Sequence, residues 1–213
     1  MTDAEYWNSR WQRGEIGFHR ATPHPLMKRH LAALGVSPGA RLFLPLCGKS
    51  LDIGYLLSEG YRIVGSELSR LAVEQLFEES GLTPATESVG PLERFDAEGL
   101  TVFVGDFFDL HRETLGEVDA VYDRAALIAL PAPLRARYAA HLAAVTRHAR
   151  QLVVTLDFDD SATSPGPPFS VDGHEVRRLY GGAFHVKELE THTAEGEVKG
   201  GSAKESAWLL TAR

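Results

Sequence analysis

Short apolar runs alternate with amphipathic segments along most of the 213 residues of the chain. The apolar runs at residues 41–46, 62–67, 100–106, 118–124 and 150–158 predict five buried strands. Between several of these runs, apolar residues recur three or four positions apart, which predicts helices. Strands that alternate with helices of this length are typical of an α/β protein with a doubly wound, parallel sheet.

The carboxyl-terminal part of the chain has a different pattern. Two further predicted strands, at residues 184–193 and 206–213, follow each other without a helix between them. Strands joined in this way pair antiparallel, so the sequence predicts a mostly parallel seven-stranded sheet with an antiparallel carboxyl-terminal strand. By analogy between folds, this arrangement is more typical of methyltransferases than of dehydrogenases. The predicted helices cover residues 3–14, 25–34, 50–58, 69–81, 134–147 and 172–179, and Ser69 is expected to cap the fourth of them.

A chain of this length is expected to form a single domain, residues 1–213. Residues 1–35 are expected to form a helical cover, in which Trp7 and Trp11 share one face of the first helix. Residues 40–213 are expected to form the Rossmann-like core. The hydrophobic content of 44% and the charged content of 24% are ordinary for a globular protein.

Charge and composition exclude several classes of partner. The formal net charge of −7 disfavours nucleic acid, because phosphate binding needs a clustered positive surface. No apolar run of about 18 residues predicts a membrane span, and the amino terminus lacks the apolar region of a secretory signal. A single cysteine, Cys47, fits a reducing cytoplasm. The nine histidines are scattered, so no metal site is predicted. No exposed apolar stripe stands out in the sequence, so a monomer is expected.

Glu67 is the strongest candidate for cofactor binding that the spacing gives. It closes the second predicted strand, 21 residues after Leu46, the last residue of the first. Nucleotide-binding sheets place a carboxylate at about this interval, against the two hydroxyl groups of a ribose. The alternative is an ordinary carboxylate at a strand end, which could cap the helix behind it. The spacing therefore favours a cofactor of the adenosine type.

The turn between the first strand and its helix, PLCGKS at residues 45–50, allows three interpretations. A phosphate-binding loop would need a glycine where Phe43 stands. A nucleophilic Cys47 would need a base, and no particular histidine is indicated. The third interpretation, a backbone bend at Gly48 close to the cofactor, is favoured. A single glycine here also favours a cofactor without a phosphate, since dinucleotide folds carry a glycine-rich turn at this position.

Two other strand ends carry candidate residues. Asp106 and Phe107 close the third strand, where an adenine could lie, although Phe107 and Phe108 could equally belong to the core. Arg124 follows the fourth strand, where ligands bind in open α/β sheets; the alternative is a salt bridge to Asp123 or Asp119.

Six segments, in order and over most of the chain, resemble the bacterial form of the thiopurine S-methyltransferase family. They are residues 7–19, with W, RW, G and IGFH; 43–52, FLPLCGKSLD; 64–69, VGSELS; 105–110, GDFFDL; 122–131, YDRAALIALP; and 166–171, GPPFSV. The resemblance implies a class I methyltransferase fold with S-adenosylmethionine as methyl donor. It also implies methyl transfer to the sulfur of thiopurines or related aromatic and heterocyclic thiols, with selenium or tellurium species as further acceptors.

The family's site residues map onto this chain by position. The expected cofactor contacts are Trp11, Leu46, Glu67, Asp106, Phe107 and Arg124. Arg124 is also the expected catalytic residue, because it can favour an anionic acceptor. The expected acceptor-side residues are Phe18, His19 and Phe169.

Departures from the family leave the acceptor open. Gly54 and Tyr55 stand where relatives usually carry a bulkier residue followed by tryptophan, and residues 194–202 lack an arginine that mammalian relatives place near the acceptor. The sequence therefore does not choose among a thiopurine-like heterocycle, a selenium or tellurium species and an unidentified cellular thiol. A non-catalytic S-adenosylmethionine-binding protein is the alternative function. A nicotinamide oxidoreductase is disfavoured by the missing glycines of the first turn.

Overall fold

The structure, a computed structural model, describes residues 3–17, 19–159 and 166–213. Two units divide the chain. The first unit comprises Met1–Pro25 and Val36–Asp119, and the second comprises Leu26–Gly35 and Ala120–Arg213.

Parallel strands form the centre of the first unit. Strands β1 (Arg41–Leu44), β2 (Arg62–Glu67) and β5 (Leu100–Val104) pair in parallel, with β2 between the other two. Almost every residue of these strands is buried. Burial on both faces of a sheet explains why the sequence reads as continuous apolar runs here rather than as an alternation.

A polar hairpin extends this sheet, and the sequence did not predict it. Strand β3 (Ala85–Val89) pairs antiparallel with β4 (Leu92–Ala97), which pairs antiparallel with β5. Most of β3 is exposed and carries polar residues, so it lacks the apolar signal of a buried strand. A short, polar strand at a sheet edge discourages pairing with another molecule.

The helices of the first unit are α1 (Asp3–Gln12), α3 (Leu51–Ser58), α4 (Arg70–Glu79) and α5 (Arg112–Leu115), with a 3₁₀ turn at Phe107–Asp109. Ser50 caps α3, because its side chain accepts a hydrogen bond from the backbone N–H of Asp52. The sequence also suggests a side-chain cap by Ser69 on α4, and this prediction is wrong. Ser69 occupies the capping position, but its side chain makes no capping hydrogen bond.

The second unit contains the remaining strands. Strand β6 (Ala120–Arg124) pairs in parallel with β7 (Arg150–Asp157); β9 (Lys204–Ala212) pairs antiparallel with β7; and β8 (Phe184–Thr193) pairs antiparallel with β9. The predicted antiparallel carboxyl-terminal pair is therefore present. The helices are α2 (Pro25–His30), α6 (Ala132–Val145) and α7 (Gly173–Tyr180), with 3₁₀ turns at Leu31–Leu34 and Leu127–Ala129.

Large aromatic side chains fill the core of the second unit. Trp208, Tyr138, Tyr180 and Phe184 are at most 2% exposed. The indole N–H of Trp208 donates to Oγ1 of Thr155 at 2.9 Å, so this polar group is satisfied inside the core.

The described residues form nine strands, two more than the sequence predicts. All seven predicted strands are present, and β2 has the predicted bounds. β1 ends at Leu44 rather than at Leu46 because the chain already turns there, and β5 and β6 are likewise two residues shorter than predicted.

Two glycines of the first unit allow a test of the packing. Gly54 lies inside α3, and a Cβ added there would meet no atom within 4 Å. Glycine costs about 1 kcal/mol relative to alanine inside a helix. We therefore expect Gly54→Ala to raise the free energy of unfolding by about 1 kcal/mol, as measured by urea denaturation.

The matched control is Gly65→Ala in β2. A Cβ at Gly65 would lie 2.7 Å from Sγ of Cys47, so this variant should be destabilised by about 1–3 kcal/mol. Equal effects of the two substitutions would contradict this description of the packing.

Candidate functional site

The turn after β1 is fixed against the end of β2. Leu46 and Gly48 both have positive φ angles, +49° and +53°, so the backbone bends sharply on either side of Cys47. The N–H of Cys47 donates to the carbonyl of Ser66 at 2.9 Å, and the N–H of Leu46 faces Oγ of Ser66 at 3.4 Å. The turn therefore follows the carboxyl end of β2 closely.

Glu67 joins this turn to the start of the next helix. Its side chain is 8% exposed, and its two carboxylate oxygens accept different hydrogen bonds. Oε2 accepts from the N–H of Gly48 at 2.8 Å, and Oε1 accepts from the N–H of Ser69 at 2.9 Å. A carboxylate offers about four acceptor positions, so it retains capacity for a further hydroxyl donor.

Burial raises the pKa of the Glu67 carboxyl. The backbone N–H groups of Ser69, Gly48 and Leu68 oppose this effect, because each of them lowers the pKa by stabilising the ionised carboxylate. The local backbone is thus arranged to hold a negative charge at a buried position.

Trp11 of α1 lies directly over the turn. The residue is 5% exposed, and a Cβ added at Gly48 would lie 3.1 Å from Cζ2 of its ring. Position 48 therefore needs glycine for two reasons: its positive φ and the close approach of the indole.

Asp106 and Phe107 follow the strand next to β2. The N–H of Gly105 donates to the carbonyl of Glu67 at 2.9 Å, which brings the two strand ends together. Asp106 is exposed, and its Oδ1 accepts from the N–H of Phe108 at 2.9 Å. Phe107 is buried and stacks on Phe43, with ring centroids 6.4 Å apart, whereas Phe108 is only half-buried.

The surroundings of Cys47 and Lys49 favour a structural role over nucleophilic catalysis or phosphate binding. Burial and the nearby charge of Glu67 raise the pKa of the Cys47 thiol well above its usual range, which disfavours the thiolate that a nucleophile needs. Nζ of Lys49 lies 2.5 Å from Oε1 of Glu79 on α4, so this ammonium group is engaged in an ion pair.

Arg124 lies at the carboxyl end of β6 in the second unit and is half-buried. Ala125, the next residue, has a left-handed φ of +66°. The preceding residue, Asp123, is fully buried, and its Oδ2 accepts from the hydroxyl of Tyr138 at 2.8 Å. Burial raises the pKa of Asp123 to about 6, although the hydrogen bonds from Tyr138 and from the backbone of Leu127 and Ala126 act in the opposite direction.

Phe169 is attached to the segment that follows Arg124. Its N–H donates to the carbonyl of Ile128 at 2.7 Å. The guanidinium carbon of Arg135 and Nζ of Lys199 each lie 5.8 Å from the centre of its ring, at cation–π distance. Arg135 is itself buried and is held by Glu175, with 2.9 Å between Nη1 and Oε2.

The remaining predicted acceptor-side residues have fewer described contacts. His19 is half-buried, and its N–H donates to the carbonyl of Ile16 at 2.7 Å. Phe18 lies outside the described residues.

The first unit thus brings together Trp11, Leu46 and Glu67, with Asp106 and Phe107 at the adjacent strand end. The second unit places Arg124 and Phe169 on connected segments. Sequence reasoning did not pair Asp123 with Tyr138, which the structure joins by a hydrogen bond. The one signal that could have indicated them is a charged residue inside an otherwise apolar strand, since a buried carboxylate requires a partner.

Within residues 3–17, 19–159 and 166–213, no group of three or more His, Cys, Asp or Glu side chains is arranged to hold a metal ion. In the same part of the chain, no helix combines the length and apolar character needed to cross a membrane.

Known structures and sequences define the class of this protein. The 1,6-didemethyltoxoflavin-N1-methyltransferase of Burkholderia thailandensis has a similar fold, with a TM-score of 0.67 at 16% identity over 98% of this chain and 87% of that one. This likeness shows the class I methyltransferase fold and confirms the predicted fold class.

The sequence comparison is more specific. A family model described as thiopurine S-methyltransferase (TPMT) matches residues 2–211. The thiopurine S-methyltransferase of Xanthobacter autotrophicus is 49% identical over 98% of both chains. That of Gluconobacter oxydans is 47% identical over 99% of this chain and 96% of its own. The chain therefore belongs to the thiopurine S-methyltransferase family. It is a methyltransferase, and S-adenosylmethionine is its methyl donor.

The residues of the first unit fit such a cofactor. Glu67 presents a buried carboxylate with remaining acceptor capacity at a strand end, the type of group that accepts ribose hydroxyls in such sheets. The turn at Gly48 has a single glycine, and the ammonium group of Lys49 is paired with Glu79, so the donors of a phosphate site are not assembled here. A nucleoside without phosphate suits this set of groups.

We expect Glu67→Gln to weaken the binding of S-adenosylhomocysteine by about 10- to 100-fold, because hydrogen bonds to a charged acceptor contribute about 1.5–3 kcal/mol. Isothermal calorimetry would measure the affinity. Glu98→Gln, at an exposed carboxylate of the same unit, is the control and should bind like the unaltered protein. An unchanged affinity in Glu67→Gln would remove Glu67 from the site.

Asp123 makes stability depend on pH in a defined direction. Its pKa of about 6 in the folded protein exceeds the ordinary value of 3.8. Its contribution to the free energy of unfolding is therefore fully present below about pH 4 and is lost as the pH rises through about 6. The shift corresponds to about 3 kcal/mol.

Urea denaturation of the unaltered protein and of Asp123→Asn would test this dependence. The difference in free energy of unfolding, unaltered minus variant, should fall by about 3 kcal/mol between about pH 4 and about pH 7. A difference that stays constant with pH would contradict the burial of an ionisable carboxyl at this position.

Proposed function

We propose that this enzyme transfers the methyl group of S-adenosylmethionine to the sulfur of thiopurines or of related aromatic and heterocyclic thiols. The observation that carries this proposal is the match of the thiopurine S-methyltransferase family to residues 2–211, together with relatives of that name at up to 49% identity. The ring of Phe169, with Arg135 and Lys199 each at 5.8 Å from its centre, further supports an aromatic acceptor that carries negative charge.

The methyl donor supplies a carbon activated by its bond to a positively charged sulfur. The first unit binds and orients this donor through Glu67, and through the backbone of the turn at Leu46 and Gly48. Holding two reactants in alignment can supply about 7–11 kcal/mol of a reaction barrier. Alignment is the main task in such a displacement, because the charges of the two reactants are neutralised as the new bond forms.

Arg124 is the residue that we assign to the acceptor. A guanidinium group stabilises a thiolate more than a thiol, so it favours the nucleophilic form of the acceptor. Phe169 would stack on the acceptor ring, and the buried Arg135 would hold the Phe169 ring in place. His19 is a second candidate for proton transfer. No strong general base is required if the acceptor thiol ionises near neutral pH.

The first test is a panel of acceptors with methyl-labelled S-adenosylmethionine. We expect labelled product with 6-mercaptopurine and with an aromatic thiol, and none with hypoxanthine, which carries oxygen in place of sulfur. Selenite and a reduced selenium compound belong in the same panel, because selenium species are the further acceptors that the family resemblance implies. Tight binding of the donor without product from any thiol would instead identify a non-catalytic binding protein.

The second test concerns Arg124. Arg124→Ala should lower kcat/KM for an anionic thiol on the order of 100-fold, because the cation that binds the anionic acceptor and favours its thiolate form is lost. Affinity for S-adenosylhomocysteine should fall much less. Arg137→Ala, at an exposed arginine of α6, is the control. Undiminished kcat/KM in Arg124→Ala would leave Arg124 with a structural role only.

A further inference from the structure

Asp123 is a buried carboxylate that the proposed reaction does not use directly. It is the fourth residue of β6, immediately before Arg124, and it is 0% exposed. Isolated carboxylates are costly to bury, and a buried charged group is often no more stabilising than an apolar side chain of similar size. Fold stability alone therefore does not account for Asp123.

The carboxylate of Asp123 spans the turn that follows it. Its Oδ1 faces the N–H of Leu127 at 3.4 Å, and the N–H of Ala126 also stabilises the ionised form. The 3₁₀ turn Leu127–Ala129 begins after Ala126, whose side chain provides no cap. The carboxylate of Asp123, although it belongs to the strand, thus accepts the hydrogen bond that the side chain of a capping residue would normally accept.

Arg124 lies between two fixed points of this turn. On one side is the carboxylate of Asp123. On the other is Ala125, whose φ of +66° is unfavourable for a residue with a side chain and persists only where the surrounding structure imposes it. The backbone direction at Arg124 therefore depends on the contacts that hold residues 123–127.

Tyr138 fixes the carboxylate from the opposite side. It lies inside α6, is fully buried, and donates its hydroxyl to Oδ2 of Asp123 at 2.8 Å. Tyr180 of α7 is equally buried, and burial and the charge of Asp123 raise its pKa, but its hydroxyl has no hydrogen-bond partner among the described residues. Of these two tyrosines, only Tyr138 connects its helix to the turn by a hydrogen bond.

We propose that Asp123, held by Tyr138, is a positioning residue that sets the orientation of Arg124 for methyl transfer. The inference rests on the proposed role of Arg124. Asp123 does not touch the reactants; it acts through the backbone of residues 124–127.

The proposal has a pH consequence. Ionised Asp123 accepts hydrogen bonds from the turn, whereas its protonated form carries a hydrogen on one oxygen and loses part of this capacity. The groups that face it are the hydroxyls of Tyr138 and Tyr180 and the N–H groups of Ala126 and Leu127. Activity should therefore decline as the pH falls through about 6.

The main experiment is a double-mutant cycle with Tyr138→Phe and Arg124→Ala, using one thiol acceptor. Tyr138→Phe removes a single hydroxyl, and the retained ring keeps the core filled. We expect it to lower kcat about 10-fold, with affinity for S-adenosylhomocysteine changed less than about two-fold. In the Arg124→Ala background, the same substitution should lower kcat by less than about two-fold, since Arg124 is no longer present to be positioned.

Tyr180→Phe is the matched control, because it removes an equally buried hydroxyl that makes no hydrogen bond. It should leave kcat unchanged. Equal losses from Tyr138→Phe in both backgrounds, or equal losses from the two tyrosine variants, would show a merely structural role and would overturn the proposal.

Two further readouts separate this proposal from the function on which it rests. Hydrogen exchange at residues 124–130 needs no methyl transfer, and it should become faster in Tyr138→Phe but not in Tyr180→Phe. Unchanged exchange in Tyr138→Phe would overturn the positioning role. Absence of methyl transfer by the unaltered enzyme to every thiol would overturn the proposed function itself, whatever the exchange rates.

Asp123→Asn provides the pH test. The ratio of kcat/KM between the unaltered enzyme and this variant, with one acceptor, cancels the ionisation of the acceptor. This ratio should fall as the pH is lowered through about 6. A ratio that does not vary with pH would contradict a role for ionised Asp123.

Discussion

The proposed donor site depends on one set of contacts, the hydrogen bonds that two backbone N–H groups donate to the carboxylate of Glu67. Gly48 belongs to the turn after β1, and Ser69 precedes α4, so a single side chain fixes two connections of the first unit. The positive φ angles at Leu46 and Gly48 and the close approach of Trp11 to Gly48 follow from the shape of that turn. Loss of the Glu67 carboxylate would remove the hydrogen bonds that hold the turn and, at the same time, the proposed acceptor for the ribose hydroxyls.

Each unit contains a buried carboxylate at or near the carboxyl end of a strand, and the two carboxylates are held differently. Glu67 is held by backbone N–H groups and retains capacity for a ligand. Asp123 is held by the Tyr138 hydroxyl and by a backbone N–H of the turn that follows Arg124. Its carboxylate therefore stabilises the protein's own structure rather than a ligand. In both cases burial raises the pKa, and hydrogen bonds to the ionised form limit that rise. Local backbone geometry therefore controls charge in the donor site and beside the proposed acceptor residue.

Much of the fold was readable in the sequence because the central strands are continuous apolar runs. The hairpin of β3 and β4 was not readable, since β3 is polar and mostly exposed and β4 buries only Leu92 and Phe95, too few apolar residues to indicate a strand. Glu67 could be singled out as a candidate because its spacing from Leu46 can be seen in the chain alone. Asp123 and Tyr138 lie 15 positions apart and meet only through the packing of α6, so no local pattern pairs them. The Ser69 cap failed for a related reason: the N–H of Ser69, not its hydroxyl, makes the important contact, with Glu67.

The central claim is that the carboxylate of Glu67 recognises the ribose hydroxyls of the donor. The most direct measurement compares the affinities of S-adenosylhomocysteine and its 2′-deoxy analogue for the unaltered enzyme and for Glu67→Gln. Removal of the hydroxyl should weaken binding to the unaltered enzyme by about 10-fold and should have little effect on the variant, which has already lost the charged acceptor. An equal loss in both proteins would show that this hydroxyl is bound elsewhere and would contradict the account.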